Sequence, residues 1–217
     1  MEFNKGDLFY TAHEDQYHVF KLLALDEALD CCHVLCYEPV NELPAKESLD
    51  QLSVMIYHTP IDRAGFSGPV WIANRPLSAD DLIGYHEYMR QTQAPEEYIP
   101  LASAYFNEGI RLTDEGKHTE AIDAYSKAAD LVPMFYEAID NRAFCKMDLG
   151  LWQAAIGDFY QSLELNPVSV LAEFSIGECY LNMKYYQEAK AQFEKALAID
   201  PAHQLSKDFL QKAISML

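Results

Sequence analysis

The sequence predicts an α+β chain of more than one domain, in which a small antiparallel β-rich N-terminal domain precedes an all-α stack of helix pairs. Two observations predict this division. The first 77 residues contain short runs of β-branched, aromatic and aliphatic residues between turn-forming stretches, a pattern typical of antiparallel strands. Beyond about residue 100 the chain instead repeats with a period of 34 residues, which indicates a repeat architecture.

The N-terminal domain, residues 1–77, is predicted to contain four strands and a further candidate strand. These segments are residues 7–12, 17–25, 31–37, 53–58 and, as the further candidate, 70–72. Residues 78–100 are predicted to be a connecting helix followed by a linker. Ser78 and Asp81 have the spacing of a capping box at a helix start, and the two prolines of residues 93–100 suggest the linker.

One cluster of metal-binding residue types lies within the third predicted strand: Cys31, Cys32, His33 and Cys36. On a strand, Cys32 and Cys36 share a face but lie roughly 13 Å apart along it, which is too far for two sulfurs of one zinc site. We therefore expect buried, reduced cysteines and no metal or other cofactor. The phosphate-loop, nucleophile-elbow and metalloprotease motifs are missing, and no histidine spacing suggests catalysis. The sequence predicts no catalytic residue and no enzyme activity.

The repeating half of the chain has four columns of residues that recur with the same period. Small residues allow close helix crossing, aromatic residues fill the space between helices, and prolines end helices because they lack an N–H. The columns are Gly109, Ala143 and Gly177; Ala121, Ala155 and Ala189; Tyr125, Phe159 and Phe193; and Pro133, Pro167 and Pro201.

These columns resemble the tetratricopeptide repeat family, whose unit is a helix–turn–helix of 34 residues. The resemblance covers about residues 101–201 and implies three repeats, at residues 101–134, 135–168 and 169–201. Lys184 departs from the pattern, because it replaces the glycine between the two helices of the third repeat. Residues 202–217 have apolar positions four apart and are predicted to form a capping helix.

The resemblance implies a groove, lined by the first helix of each repeat, in which family members bind protein segments. Alignment of the repeats predicts that the groove residues are Phe106, Asn107, Ile110, Asp140, Asn141, Phe144, Asp148, Phe174, Glu178 and Asn182. They are aromatic, aliphatic, amide and acidic, and none is Lys or Arg. Charge complementarity therefore favours a partner protein with a basic or apolar segment. The alternative is that the N-terminal domain or a second copy of the chain covers the groove.

Chaperone-binding members of the family hold a terminal carboxylate with two lysines, two asparagines and one arginine. Of those five places, Asn141 alone matches, and the others hold Phe106, Ile110, Leu171 and Ser175. A groove without cations cannot offset the desolvation of a carboxylate. We therefore expect no binding to acidic C-terminal peptides.

The net charge limits the classes of partner. The 16 Lys and Arg residues against 34 Asp and Glu give a formal charge of −18, of which −11 falls on residues 1–99 (17 acidic and 6 basic residues). This charge opposes binding to nucleic acid and to anionic membrane surfaces. No apolar run is long enough for a transmembrane helix, and no basic start precedes an apolar stretch. Together with five unevenly placed cysteines, these features predict a cytoplasmic protein.

The leading hypothesis is a non-catalytic interaction module, or adaptor, that recruits a partner through the groove. One alternative is a bacterial toxin-neutralising immunity protein, because an acidic inhibitor suits a basic nuclease. The other is a small enzyme domain at the N-terminus with the repeats as its targeting arm. An N-terminal pocket with converging histidine and acidic side chains would favour the enzyme alternative.

Overall fold

The computed structural model describes residues 3–217, which fall into two compact units that are divided between Tyr98 and Ile99. The first unit contains a five-stranded sheet and the second is helical. The predicted α+β class is therefore confirmed. Within residues 3–217, no helix has the length and apolar character needed to cross a bilayer.

The first unit is built on an antiparallel sheet with the order β4-β3-β2-β1-β5. Its strands are β1 (Asp7–His13), β2 (Gln16–Asp26), β3 (Cys31–Tyr37), β4 (Val54–Asp62) and β5 (Val70–Asn74). Short turns join the first three strands, with Glu14 and Asp30 at positive φ, so these strands form a meander. The further candidate strand is confirmed as β5, which pairs with β1 at one edge of the sheet.

The core of the first unit contains aromatic and aliphatic side chains from β1, β2 and β3. Phe9, Leu22 and Val34 are fully buried, and Phe66 packs beside Phe9. Every residue of β3 is buried, which accounts for its continuous apolar sequence. All five cysteines are free and buried, as predicted, and burial raises the pKa of the Cys36 thiol to about 11.

Helix α1 (Ala79–Thr92) begins with the predicted capping box. The Asp81 carboxylate accepts the Ser78 backbone N–H at 2.8 Å and the Lys21 ammonium at 2.7 Å. The helix packs against β4 and β2. The helix approaches β4 closely at Gly84, where a Cβ would lie 2.9 Å from the Cβ of His58. The sequence predicted that this helix connects two domains. In the structure α1 instead belongs to the first unit, because one of its faces is buried there.

Residues 93–100 were predicted to be a linker. In the structure most of them are helical, because helix α2 (Pro95–Asp114) already begins at Pro95. Proline is well tolerated at the first helical position, where the N–H has no intrahelical partner. Pro100 lies in the second turn and removes one backbone hydrogen bond. Glu96 and Glu97 lie in the first turn, where the helix dipole favours negative charge. The boundary between the two units lies within this helix.

The second unit continues from α2 through six further helices. They are α3 (His118–Leu131), α4 (Tyr136–Asp148), α5 (Trp152–Leu165), α6 (Val170–Asn182), α7 (Tyr186–Ile199) and α8 (Gln204–Ser215). Consecutive helices from α3 to α8 pack against one another. Gly116 and Gly150 have positive φ in the turns after α2 and α4. Lys184, in the corresponding turn after α6, also has a positive φ of 65°, so the turn keeps its conformation without glycine.

The periodic small and aromatic residues meet inside the repeats. A Cβ on Gly109 would lie 2.5 Å from the Tyr125 ring, and one on Gly177 would lie 2.5 Å from the Phe193 ring. Ala121, the small residue of the second helix, is completely buried. The aromatic ring of a second helix thus lies directly on the small residue of its own first helix, and this contact fixes the residue class of both columns.

Candidate functional site

The ten predicted groove residues lie on three helices of the second unit. They are Phe106, Asn107 and Ile110 on α2; Asp140, Asn141, Phe144 and Asp148 on α4; and Phe174, Glu178 and Asn182 on α6. Their exposure separates them into two groups. The aromatic residues pack inward, and the polar residues and Ile110 are half-buried or exposed.

The three aromatic residues contribute to the core. The Phe106 ring lies 4.8 Å from that of Phe135, and the Phe144 ring lies 5.2 Å from that of Phe159, measured between centroids. Phe174 is only 6% exposed. The structure differs from the prediction at Phe174, because its ring is enclosed between helices by aromatic neighbours on α7 and α8. It therefore offers almost no surface to a ligand.

The polar groove residues present mainly hydrogen-bond acceptors. The Asn141 side-chain amide donates to the Glu137 carbonyl at 2.8 Å, and the Asn182 amide donates to the Glu178 carbonyl at 2.9 Å. One N–H of each amide is thus used within its own helix, and the side-chain oxygen remains an acceptor. Together with the carboxylates of Asp140 and Glu178, these oxygens suit a partner that supplies donors or positive charge.

Burial changes the electrostatics of two groove carboxylates. Burial raises the pKa of Asp140, the nearby Ser162 hydroxyl of α5 lowers it in part, and the neighbouring Glu137 charge raises it further. Within the described residues, Asp140 Oδ1 is buried without a hydrogen-bond partner. Burial also raises the pKa of Glu178, which Lys212 of α8 partly offsets. An incoming cation would stabilise the charged form of both carboxylates.

Two features of this surface were missed by the sequence reasoning. Lys212 brings a positive charge close to Glu178 from the capping helix, whereas the prediction considered only the first helices. A small apolar pocket of about 230 Å³ is lined mainly by Ile99, Ala102, Val132, Met134 and Phe135. It includes residues from the turn between α3 and α4, which the repeat alignment does not assign to the groove.

The first unit contains a separate pocket of about 430 Å³, and three carboxylates, a histidine and two tyrosines are among its lining side chains. Its residues are Leu25, Asp26, Glu27, His33, Tyr85, Tyr88, Met89, Gln93 and Glu97. This is the combination of histidine and acidic side chains that the enzyme alternative expected. The sequence pattern did not reveal it because the residues come from β2, β3, α1 and the start of α2.

A pair of histidines lies beside this pocket. His33 Nδ1 and His58 Nε2 are 2.9 Å apart and share a hydrogen bond. The side chains come from the neighbouring strands β3 and β4, and their rings pack at tilted angles against Tyr85 and Tyr88. Burial lowers the pKa of His33, and it lowers the pKa of His58 to about 4 with a further contribution from His33. Both rings are therefore neutral at pH 7.

We expect the His58 pKa to make the first unit sensitive to mild acid. The unfolded chain gains a proton at His58 near the ordinary pKa of 6.5, whereas the folded chain gains it only near pH 4. The stabilisation is therefore present above pH 6.5 and is lost as the pH falls towards 4. Between pH 7 and pH 5 the residue should account for a loss of about 2 kcal/mol in the free energy of unfolding.

Urea unfolding at the two pH values tests this expectation. In a Trp152→Phe background, fluorescence of Trp71 reports on the first unit, because the chain has 2 tryptophans. His58→Phe should reduce the loss, and the control His13→Phe, at an exposed position, should leave it unchanged. An equal loss in the His58→Phe variant would rule out this source of acid sensitivity.

No group of three or more His, Cys, Asp or Glu side chains within residues 3–217 is arranged to hold a metal ion. Cys31 and Cys32 are buried in β3, and a raised thiol pKa accompanies the burial of each. The part of the chain that the structure describes therefore offers no metal centre of this size.

Comparison with known proteins identifies the second unit. A sequence model of the tetratricopeptide repeat matches residues 170–203. The first such domain of Spaghetti (RPAP3), bound to the HSP90 peptide SRMEEVD, superposes with a TM-score of 0.51 at 26% identity, over 52% of this chain and 90% of that one. The second unit is a tetratricopeptide repeat domain. The first such domain of human RPAP3 also matches, with a TM-score of 0.50 at 26% identity over 53% and 91% of the two chains.

Curated relatives match about half of the chain. Human DnaJ homolog subfamily C member 7 is 30% identical over 99 residues, which are 46% of this chain and 20% of the relative. Hsp70-Hsp90 organizing protein 1 of Glycine max is 26% identical over 129 residues, which are 59% of this chain and 23% of the relative. The chain thus spans about a fifth of the length of the curated relatives that it matches.

Proposed function

We propose that this chain is an adaptor whose tetratricopeptide repeat domain binds a basic or apolar segment of a partner protein. The observation that carries the proposal is the set of acceptor groups on α4 and α6. Asp140 and Glu178 present half-buried carboxylates, and Asn141 and Asn182 present amide oxygens. A Lys or Arg side chain, or the backbone N–H groups of an extended segment, would satisfy these acceptors.

The Spaghetti domain supports a peptide-binding role for this fold, because that similar domain is bound to the peptide SRMEEVD. That peptide is acidic, and this chain lacks the corresponding cations. The places that would hold the peptide's carboxylates contain Phe106, Ile110, Leu171 and Ser175. Since unpaired carboxylates are costly to desolvate, we propose that the surface is the same and that the charge preference is reversed.

Apolar contacts would supply the rest of the interface. Ile110 is 40% exposed on the first helix of the first repeat, and Leu171 is 52% exposed on the first helix of the third repeat. The pocket beside Met134 and Phe135 can accept one aliphatic side chain. Apolar anchors contribute affinity, and the carboxylates contribute selectivity and rate of association. A segment with a basic residue near an aliphatic one is therefore the proposed ligand.

Charge reversal at two groove positions, together with a new lysine at a third, tests the proposal. Asp140→Lys, Asn141→Lys and Glu178→Lys together should weaken binding of a basic peptide by about 10-fold or more, because attraction becomes repulsion. The probe is a fluorescent SRMKKVK amide, in which lysines replace the acids of SRMEEVD, and the readout is fluorescence anisotropy. The same variant should weaken capture of the native partner in a pull-down.

The control reverses two exposed charges outside the groove, with Glu164→Lys on α5 and Glu194→Lys on α7. This variant should change affinity by less than about 2-fold, because exposed charges separated by more than about 10 Å are largely screened at moderate salt. Unchanged binding by the groove variant, or an equal loss of affinity in both variants, would contradict binding of the basic peptide in the groove.

A further inference from the structure

The pocket of the first unit has a charge pattern that the proposed adaptor function does not use. Asp26, Glu27 and Glu97 contribute three carboxylates, and the residues that line the pocket include no lysine or arginine. Asp26 Oδ1 accepts the backbone N–H groups of Ala28 and Leu29 at 3.0 Å. The turn therefore fixes this carboxylate and leaves Oδ2 available to a ligand.

Aromatic rings form another part of the same pocket. The His33 ring centroid lies 5.0 Å from that of Tyr85 and 5.1 Å from that of Tyr88. Tyrosine faces attract organic cations and also cover the alkyl stem that carries the charge. Carboxylates beside tyrosine rings therefore suit an ammonium or guanidinium group on a short alkyl chain better than an inorganic ion.

His33 supplies a ring nitrogen, Nε2, whose role as donor or acceptor depends on the hydrogen bond between His33 and His58. The side chain is 5% exposed, lines the pocket, and uses Nδ1 in the hydrogen bond to His58. When the shared proton is on His33 Nδ1, Nε2 is an acceptor. A neutral imidazole acceptor beside the carboxylates can bind an N–H donor of the ligand.

We propose that the pocket formed by Asp26, Glu27, His33, Tyr85, Tyr88 and Glu97 binds an alkylammonium or alkylguanidinium group. The lining has no serine, threonine, cysteine or lysine to act as a nucleophile. It also has no cation to stabilise the negative charge that develops in acyl or phosphoryl transfer. The pocket thus complements the positive charge of a bound ligand and does not complement the negative charge of such a transition state. These are the properties of a cation-binding site.

Two ligand sources share this chemistry, a free amine or guanidine and the side chain of an arginine or lysine in a protein. The first arm of the test titrates the full chain with n-butylguanidinium, with neutral n-butylurea as the matched control. The second arm uses the peptide acetyl-Gly-Arg-Gly-amide and its citrulline counterpart. Shifts of the His33, Tyr85 and Tyr88 NMR signals report binding at this pocket.

We expect saturable shifts with the charged probes and none with the neutral probes. Tighter binding of butylguanidinium would indicate a small-molecule ligand, and tighter binding of the peptide would indicate a protein side chain. Asp26→Asn with Glu97→Gln should weaken binding by about 10-fold, because two charge-assisted contacts are lost. Asparagine can still accept the two N–H groups through Oδ1, so the turn is retained.

The control variant, Glu14→Gln with Asp15→Asn, removes the same charge from the β1–β2 turn. It should leave affinity for the charged probes unchanged within about 2-fold, since a lost surface charge acts only weakly over a distance. Equal binding of butylurea, equal weakening by the two double variants, or an absence of saturation would overturn the proposal.

Discussion

Asp158→Ala is expected to lower the free energy of unfolding of the repeat domain by about 3–5 kcal/mol. The Asp158 carboxylate accepts two hydrogen bonds from Arg142 at 2.9 Å and lies 2.6 Å from the Lys146 ammonium. The side chains of Asp158, Arg142 and Lys146 are 9%, 14% and 18% exposed. Removal of the anion leaves two poorly solvated cations side by side between α4 and α5.

Urea unfolding followed by far-UV circular dichroism measures this loss. Glu164→Ala, at an exposed position on the same helix, should change the free energy of unfolding by less than about 0.5 kcal/mol. Arg142→Met and Lys146→Met combined with Asp158→Leu should recover a large part of the loss, because apolar side chains then replace all three charged groups of the buried network. A loss below about 1 kcal/mol for Asp158→Ala would show that the network is solvated and weak.

Gly177→Val is expected to lower the free energy of unfolding of the repeat domain by about 3 kcal/mol. A Cβ at this position would lie 2.5 Å from the buried Phe193 ring. Phe193 is enclosed by Phe174 and Phe209, so the ring has little room to move. The helices α6 and α7 would have to separate, which would expose the core of the third repeat.

Gly157→Ala is the matched control for this prediction. Gly157 also lies inside a helix, α5, but no atom lies within 4 Å of an added Cβ. Alanine has the higher helix propensity, so this change should raise the free energy of unfolding by about 0.5–1 kcal/mol. Thermal and urea unfolding of both variants measure these changes. Equal stability of Gly177→Val and the unmodified chain would contradict the prediction.

The repeat domain could be predicted from sequence because its contacts are periodic. Each close helix crossing requires a small residue, and Gly109 and Gly177 occupy that position 68 residues apart, which is two repeat periods. The strands could be predicted because β3 is buried throughout. These features depend on local pattern alone, so one sequence is sufficient to detect them.

Contacts between distant segments could not be predicted in the same way. His33 and His58 meet because β3 pairs with β4. The local sequence around these two residues does not distinguish them from the other histidines. Phe174 occupies a groove position in the repeat alignment, but the capping helix supplies Phe209, which covers its ring. Lys212 approaches Glu178 from that same helix. Each case depends on which segment packs against which.

The ratio of two dissociation constants shows whether the groove prefers a basic or an acidic peptide. Fluorescence anisotropy of the unmodified chain with SRMEEVD and with the SRMKKVK amide compares two peptides of equal length and opposite charge. The groove acceptors at Asp140, Asn141, Glu178 and Asn182 predict that the basic peptide binds at least about 10-fold more tightly. Equal affinity, or tighter binding of SRMEEVD, would contradict the proposed charge preference of the groove.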